Sequence, residues 1–288
     1  MRVFLIVNPR SRSGQRCGPR VPHELKRQGI ELVGTPDAGA IDAIVVGGGD
    51  GTFARAIPLA LRCGVPMGLV PLGTFNDLAR TLEIPLEIER ACSVIAQGRT
   101  REIDIASVNG VYYVTEASIG LSSRLSRLQT TQEKQRFGWL AVIPSLVAAL
   151  RYLRPIHVEI SYDHARVRLK TVQLTVANSD HFGRFITVGD AAIDDGRLDL
   201  YAIEPGGLLR VAAVARAVLS KKRFAAEGLR AYRSTRFEVE TLQPHRITAD
   251  GEPAGTTPAC FNIFSRALRV FVGIERAQTF GTAERIYV

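Results

Sequence analysis

The sequence predicts an N-terminal doubly wound α/β domain followed by a mostly antiparallel β-sandwich domain. Three observations carry that expectation. Continuous apolar runs alternate with helical stretches over the first hundred residues, the pattern of a sheet covered on both faces. Two of those runs end in glycine-containing loops, residues 47–52 and 73–80. Beyond residue 104 apolar and polar residues alternate one by one, the period of strands with one buried face. We place the domain boundary there. Residues 1–104 form the α/β domain and 105–274 the β-rich one, with 275–288 expected to pack back on the first.

The elements follow in order. Residues 3–7 are continuously apolar and end in Asn8-Pro9, a buried strand with its exit loop. A polar loop comes next, then a short helix over 22–28 and an extended piece over 30–33. Residues 41–46 form another buried strand, running into Gly47-Gly48-Gly49-Asp50-Gly51-Thr52. Residues 53–63 read as a helix that Pro58 kinks or fixes in its first turns. A third strand, 65–70, leads into Pro71-Leu72-Gly73-Thr74-Phe75-Asn76-Asp77. Ile88, Ala91, Cys92 and Ile95 recur at helical spacing until Gly98 stops the helix. Asn109-Gly110, between extended runs 102–108 and 111–115, signals a two-residue hairpin. Further strands are expected at 156–162, 167–176, 198–203, 236–239, 246–249 and 267–272, interrupted by helices near 138–152 and 208–224.

Composition narrows the function classes. With 46% hydrophobic residues and no low-complexity tract, the chain is not a disordered one. Lys and Arg number 37 against 28 Asp and Glu, a net charge of +9 that suits nucleic acid, phosphate substrates or acidic lipid surfaces. No helix-turn-helix, zinc or RNA-binding signature supports nucleic acid. The four cysteines lie far apart without a CxxC pair, so free thiols in a reducing cytoplasm are expected. There is no HExxH for a zinc hydrolase, no secretory signal, and the longest apolar stretch, 137–150, is shorter than a bilayer span.

The glycine loops carry the chemistry. A strand that ends in GGGDGT and opens a helix lets backbone N–H groups approach phosphate oxygens, aided by the helix dipole. Asp50 inside such a cradle repels phosphate unless Mg²⁺, or water on it, lies between them; the alternative is a tight strand–helix turn without a ligand. The second loop also follows a buried strand and opens a helix, where Thr74 can bond phosphate and Asp77 can orient Arg80 or a metal-bound water. Otherwise Asn76-Asp77 is simply a helix cap. Two such loops at one edge of a parallel sheet converge on a single crevice.

GGGDGT followed by PLGTFNDLAR resembles the diacylglycerol kinase catalytic family, bacterial soluble lipid kinases most of all. The likeness extends through VNPRSRSG at 7–14, Thr35, Ala177-Asn178, the Asp194-Asp195-Gly196-Arg197-Leu198-Asp199 segment and Asp250-Gly251-Glu252. It implies a kinase moving the γ-phosphoryl of ATP, with Mg²⁺, onto a lipid hydroxyl. By resemblance, Gly48, Gly49, Asp50, Gly51 and Thr52 hold phosphates with Asn8, Thr35, Thr74 and Asn76. Asp50, Asp77 and Asp104 organise catalytic Mg²⁺ through water, and Glu252 is the general base. A structural Mg²⁺ is implied at Asp195 with the carbonyls of Ala192 and Arg197. One departure stands out: between Thr35 and Gly48 the chain is too short for the helix usual in the family. Two other readings are an NAD kinase-like phosphotransferase with a soluble substrate and a nucleotide- or lipid-binding regulator without turnover.

The charge is unevenly spread. Residues 1–104 hold 13 basic and 11 acidic residues, while 210–236 hold 8 basic residues against Glu227 alone. Leu208, Val211, Ala212, Ala215, Val218 and Leu219 share a helical face that Lys221-Lys222-Arg223 closes. Residues 208–223 are therefore a candidate for peripheral contact with the inner membrane surface, against the alternative that this face packs in the core. Neither the acceptor lipid nor the oligomeric state is legible.

Overall fold

β-branched and leucine residues that cannot be left in water form the centre of the first layer. Val45, Val46, Leu69 and Val70 lie on adjacent parallel strands and are almost wholly buried. The structure is a computed structural model that describes residues 1–9, 12–37, 39–120, 154–179, 181–182, 186–187, 192–206 and 228–273. The helices expected near 138–152 and 208–224 and the tail 275–288 lie outside the described residues.

The described elements begin with β1 (Arg2–Val7), α1 (Arg12–Cys17), α2 (Arg20–Arg27), β2 (Glu31–Val33), β3 (Ala43–Gly48), α3 (Asp50–Cys63), β4 (Met67–Pro71), α4 (Asp77–Thr81) and α5 (Ile88–Gln97). There follow β5 (Thr100–Val108), β6 (Val111–Tyr113), β7 (Glu116–Gly120), β8 (Ile156–Tyr162), β9 (Ala165–Thr171), β10 (Gln173–Ala177), β11 (His181–Phe182) and β12 (Ile186–Thr187). The last are β13 (Leu198–Ile203), β14 (Leu229–Ser234), β15 (Arg236–Thr241), β16 (Arg246–Ala249), β17 (Glu252–Thr256) and β18 (Ala259–Phe271).

Strands β2, β1, β3 and β4 pair in parallel, in that order, so β3 and β4 end at the same sheet edge. The layer does not stop at the α/β domain. β18 pairs in parallel with β4 at Val270 and antiparallel with β5 and β15, carrying one ten-stranded sheet into the second half of the chain. A separate six-stranded sheet, β14-β13-β10-β7-β16-β17, is antiparallel and packs with the far end of the first as a sandwich. Tyr113, Phe237 and Phe261 fill the core between them. The expected division at Asp104 thus falls inside β5, a strand that contributes to both cores.

Several local expectations take a physical form here. Asn109 and Gly110 both adopt positive φ, as the tight hairpin requires. Gly98 closes α5 in the left-handed region. Pro58 sits inside α3, and that helix starts three residues earlier than expected, at Asp50. Residues 12–17, expected as loop, are helical, with Cys17 packed against the first core. The run expected as one strand over 167–176 is two, β9 and β10, in different sheets. Thr171 makes the switch: its hydroxyl bonds the carbonyls of Gln173 (2.7 Å) and Ile203 (2.8 Å). No helix occupies the described residues between Thr35 and Gly48.

Asp104 joins the two halves. It is fully buried, and its carboxylate accepts the backbone N–H of Gly196 (2.5 Å) and of Arg266 (2.7 Å). Arg266 is the positive-φ residue in the irregular middle of β18. Asp104→Ala strips both amides of their charged acceptor at a buried joint, so it should cost about 2–4 kcal/mol of folding stability. Urea denaturation at unchanged m-value measures that loss, and a variant as stable as the wild type contradicts the clamp.

Candidate functional site

The two glycine loops touch each other backbone to backbone. A Cβ on Gly49 would lie 3.0 Å from the Gly73 Cα, and one on Gly73 would lie 2.6 Å from both the Gly49 Cα and Asn76 Oδ1. Only glycine permits that approach. Asn76, in the left-handed region, shapes the second loop by accepting the Gly73 N–H (2.8 Å) and donating to the Gly73 carbonyl (3.1 Å). Asn8 donates from its side chain to the Thr52 hydroxyl (3.0 Å), tying the end of β1 to the first turn of α3.

Asp50 links the loops. Its Oδ2 accepts the Asp77 N–H (3.1 Å) and its Oδ1 the Leu78 N–H (3.2 Å), so it caps α4 from across the crevice. Asp77 pairs with Arg80 at 3.2 Å. Burial, and then the charges of Asp250 and Asp77, push the Asp50 carboxyl up to about 7.

The Asp250-Gly251-Glu252 turn closes over this crevice from the second sheet. Asp250 accepts the backbone N–H groups of Val114 (2.8 Å), Thr115 (2.9 Å) and Glu116 (3.1 Å), as well as the Thr115 hydroxyl. Burial nonetheless outweighs those bonds and raises its carboxyl above the usual range. Glu252 follows two residues later and lies against α3. A Cβ on Gly51 would meet the Glu252 Cγ at 2.8 Å and the Asp250 carbonyl at 2.9 Å. The Glu252 carboxylate is half-exposed and pairs with Arg55 at 3.2 Å.

The structure therefore brings Asn8, Gly48, Gly49, Asp50, Gly51, Thr52, Asn76, Asp77 and Glu252 to one crevice. Thr74 is exposed on the second loop, and Thr35 is exposed beyond β2, its hydroxyl bonded to Asp37 (2.7 Å). Asp104 is engaged elsewhere, and the carboxylates whose charge bears on Asp50 are Asp250 and Asp77. Sequence reasoning missed Arg55 and Glu116. Burial, then Asp250 and Asp77, push the Glu116 carboxyl to about 7. Its only signal was a carboxylate amid the small and apolar residues of β7.

The cation sites fare differently. Asp50, Asp77 and Asp250 crowd negative charge at the crevice, which suits a divalent cation. No three Asp, Glu, His or Cys side chains converge as ligands among the described residues. A cation would then be held by one or two carboxylates, water and phosphate oxygens, the habit of Mg²⁺. At the 194–199 turn the residues do not fit a metal. The Asp195 carboxylate accepts the Arg197 N–H (2.9 Å) and forms an ion pair with Arg233.

The comparisons agree along the chain. Residues 2–108 match the model of the diacylglycerol kinase catalytic domain, and 115–272 that of the YegS C-terminal NAD kinase beta sandwich-like domain. A diacylglycerol kinase of Bacillus subtilis (strain 168) is 30% identical over 243 residues, spanning 82% of this chain and 80% of that protein. One from Staphylococcus aureus (strain bovine RF122 / ET3-1) is 25% identical over 233 residues, spanning 80% and 74%. A crystal structure from Bacillus anthracis str. Sterne shares the fold with a TM-score of 0.77 at 23% identity, covering 94% of this chain and 95% of that one.

Glu116 carries a pH signature. Its folded pKa lies above the unfolded value, so its contribution to stability is full below about pH 4.5 and lost as the pH rises through about 7. Glu116→Gln removes the loss. It should raise Tm by a few degrees at pH 8, with the gain shrinking toward pH 5; a gain independent of pH would contradict the assignment.

Proposed function

Because the chain belongs to the diacylglycerol kinase family, we propose that it transfers the γ-phosphoryl of ATP to the hydroxyl of a lipid such as diacylglycerol, with Mg²⁺. The observation that carries this reading is the seating of Glu252 over Gly51, which sets a carboxylate against the loop suited to phosphates. Backbone N–H groups of residues 48–52 bind the phosphates at the start of α3, with Asn8, Thr52 and Thr74 at the rim. Asn76 acts through loop shape, and Asp50 and Asp77 face the cation. Mg²⁺, when bound, neutralises charge on the phosphate oxygens. Thr35 stands at the same sheet edge, following β2.

Transfer then follows from position. The lipid hydroxyl oxygen bonds to the γ-phosphorus, the bond from that phosphorus to the bridging oxygen breaks, and ADP leaves. The hydroxyl proton passes to the Glu252 carboxylate. Arg55 holds that carboxylate aimed in the resting state through their ion pair. Two features support a lipid acceptor: the named relatives and the basic segment 210–223. That segment suits peripheral docking on an anionic bilayer from the cytoplasmic side. Among the described residues no helix is long and apolar enough to cross a membrane.

The test is transfer of radiolabelled γ-phosphate into a total lipid extract, followed by identification of the product. Label in an organic-soluble product supports the reading; label only in a water-soluble one overturns it. Glu252→Gln should lower kcat by about 10²–10⁴-fold while ATP affinity stays within a few-fold. A folded variant with full turnover removes Glu252 from the chemistry.

A further inference from the structure

We infer that Arg233 takes the place of a structural divalent cation at the 194–199 turn, so that this turn is held by a built-in guanidinium and binds no metal. Asp194, Asp195 and Asp199 gather within six residues, a concentration of charge that on its own would attract a hard cation. Each acid is instead matched by an arginine from a neighbouring strand. Arg101, on β5, pairs with Asp194, its Nε donating at 3.1 Å. Arg233, on β14, pairs through Nη2 with Asp195 Oδ2 and through Nε with Asp199 Oδ1 at 3.5 Å.

The register explains why one guanidinium reaches both. Asp199 and Arg233 stand directly opposite each other on antiparallel β13 and β14. Asp195 lies in the turn just before β13, within reach of the long arginine side chain. The other Asp195 oxygen accepts the Arg197 N–H at 2.9 Å, and the Gly196 N–H is taken by Asp104. Both carboxylate oxygens of Asp195 are thus used. A planar guanidinium, always charged and able to bridge two acids, does what a cation coordinated by Asp195 and carbonyls would do. It also needs no metal supply. Ala192 and Arg197, whose carbonyls would complete such a site, are both exposed.

Melting without nucleotide tests this separately from any kinase activity. Wild-type protein and Asp195→Asn are compared in EDTA and in millimolar Mg²⁺. Any Mg²⁺-induced rise in Tm should be the same in both, since it arises at the crevice. Arg233→Ala should melt lower by about 2–4 °C, and Mg²⁺ should restore part of that loss. The restoration should disappear in Arg233→Ala/Asp195→Asn. A Mg²⁺-induced rise present in the wild type and abolished by Asp195→Asn alone overturns the inference. So does an Arg233→Ala variant that melts with the wild type.

Discussion

The carboxylate of Asp250 grips three consecutive backbone amides, Val114 to Glu116, and the crevice depends on that grip. Those amides lie where the chain leaves the ten-stranded sheet at β6 and enters the six-stranded one at β7. One side chain therefore fixes the crossing between sheets and the turn that carries Glu252. Bonds from amides to a charged acceptor contribute about 1.5–3 kcal/mol each, yet burial still leaves the carboxyl raised. The fold accepts that cost because no apolar side chain could hold three amides and aim the next two residues at Gly51.

Asp104 does the same work at a second joint, and the pair separates two uses of buried aspartate. Asp104 and Asp250 spend their oxygens on backbone, so they determine where loops sit. Asp50 also holds backbone, at 3.1 and 3.2 Å, but it faces the charges of Asp77 and Asp250. Like charges left crowded beside a phosphate-type loop suit a counter-ion, which the proposed function would supply with its ligand. The 194–199 turn shows the opposite case, in which arginines already satisfy the acids.

Much of this was legible because it is local. Strands that run into glycine loops, the Asn109-Gly110 hairpin and the Gly98 stop are set by neighbours within a few residues. The family motifs pointed to the crevice residues, and the loops meet as their placement at one sheet edge implied. What escaped was set by distant partners. The break between β9 and β10 at Val172 needs Ile203, about thirty residues on, to hold the Thr171 hydroxyl. The contacts of Asp104 lie 92 and 162 residues away. Arg233 reads as one more cation in a basic tract until β13 and β14 are paired. The resemblance that implied a structural Mg²⁺ at Asp195 likewise carries no information on that pairing.

That pairing changes the meaning of the net +9. In the basic tract 210–236, the described cations are not a solvated coat. Arg230 bonds Glu204 at 2.7 Å, Arg233 bridges Asp195 and Asp199, and Arg236 bonds Glu238 at 2.6 Å. The exposed pairs of Arg230 and Arg236 contribute little to stability, but together with the less exposed Arg233 bridge they remove these three charges from the set available to an anionic surface. Attraction to a bilayer acts roughly charge by charge within a Debye length. The membrane-facing role proposed for the tract would therefore fall to Arg210, Arg216, Lys221, Lys222 and Arg223. The strand that follows them, β14, uses its arginines to hold the sheet and its turn together.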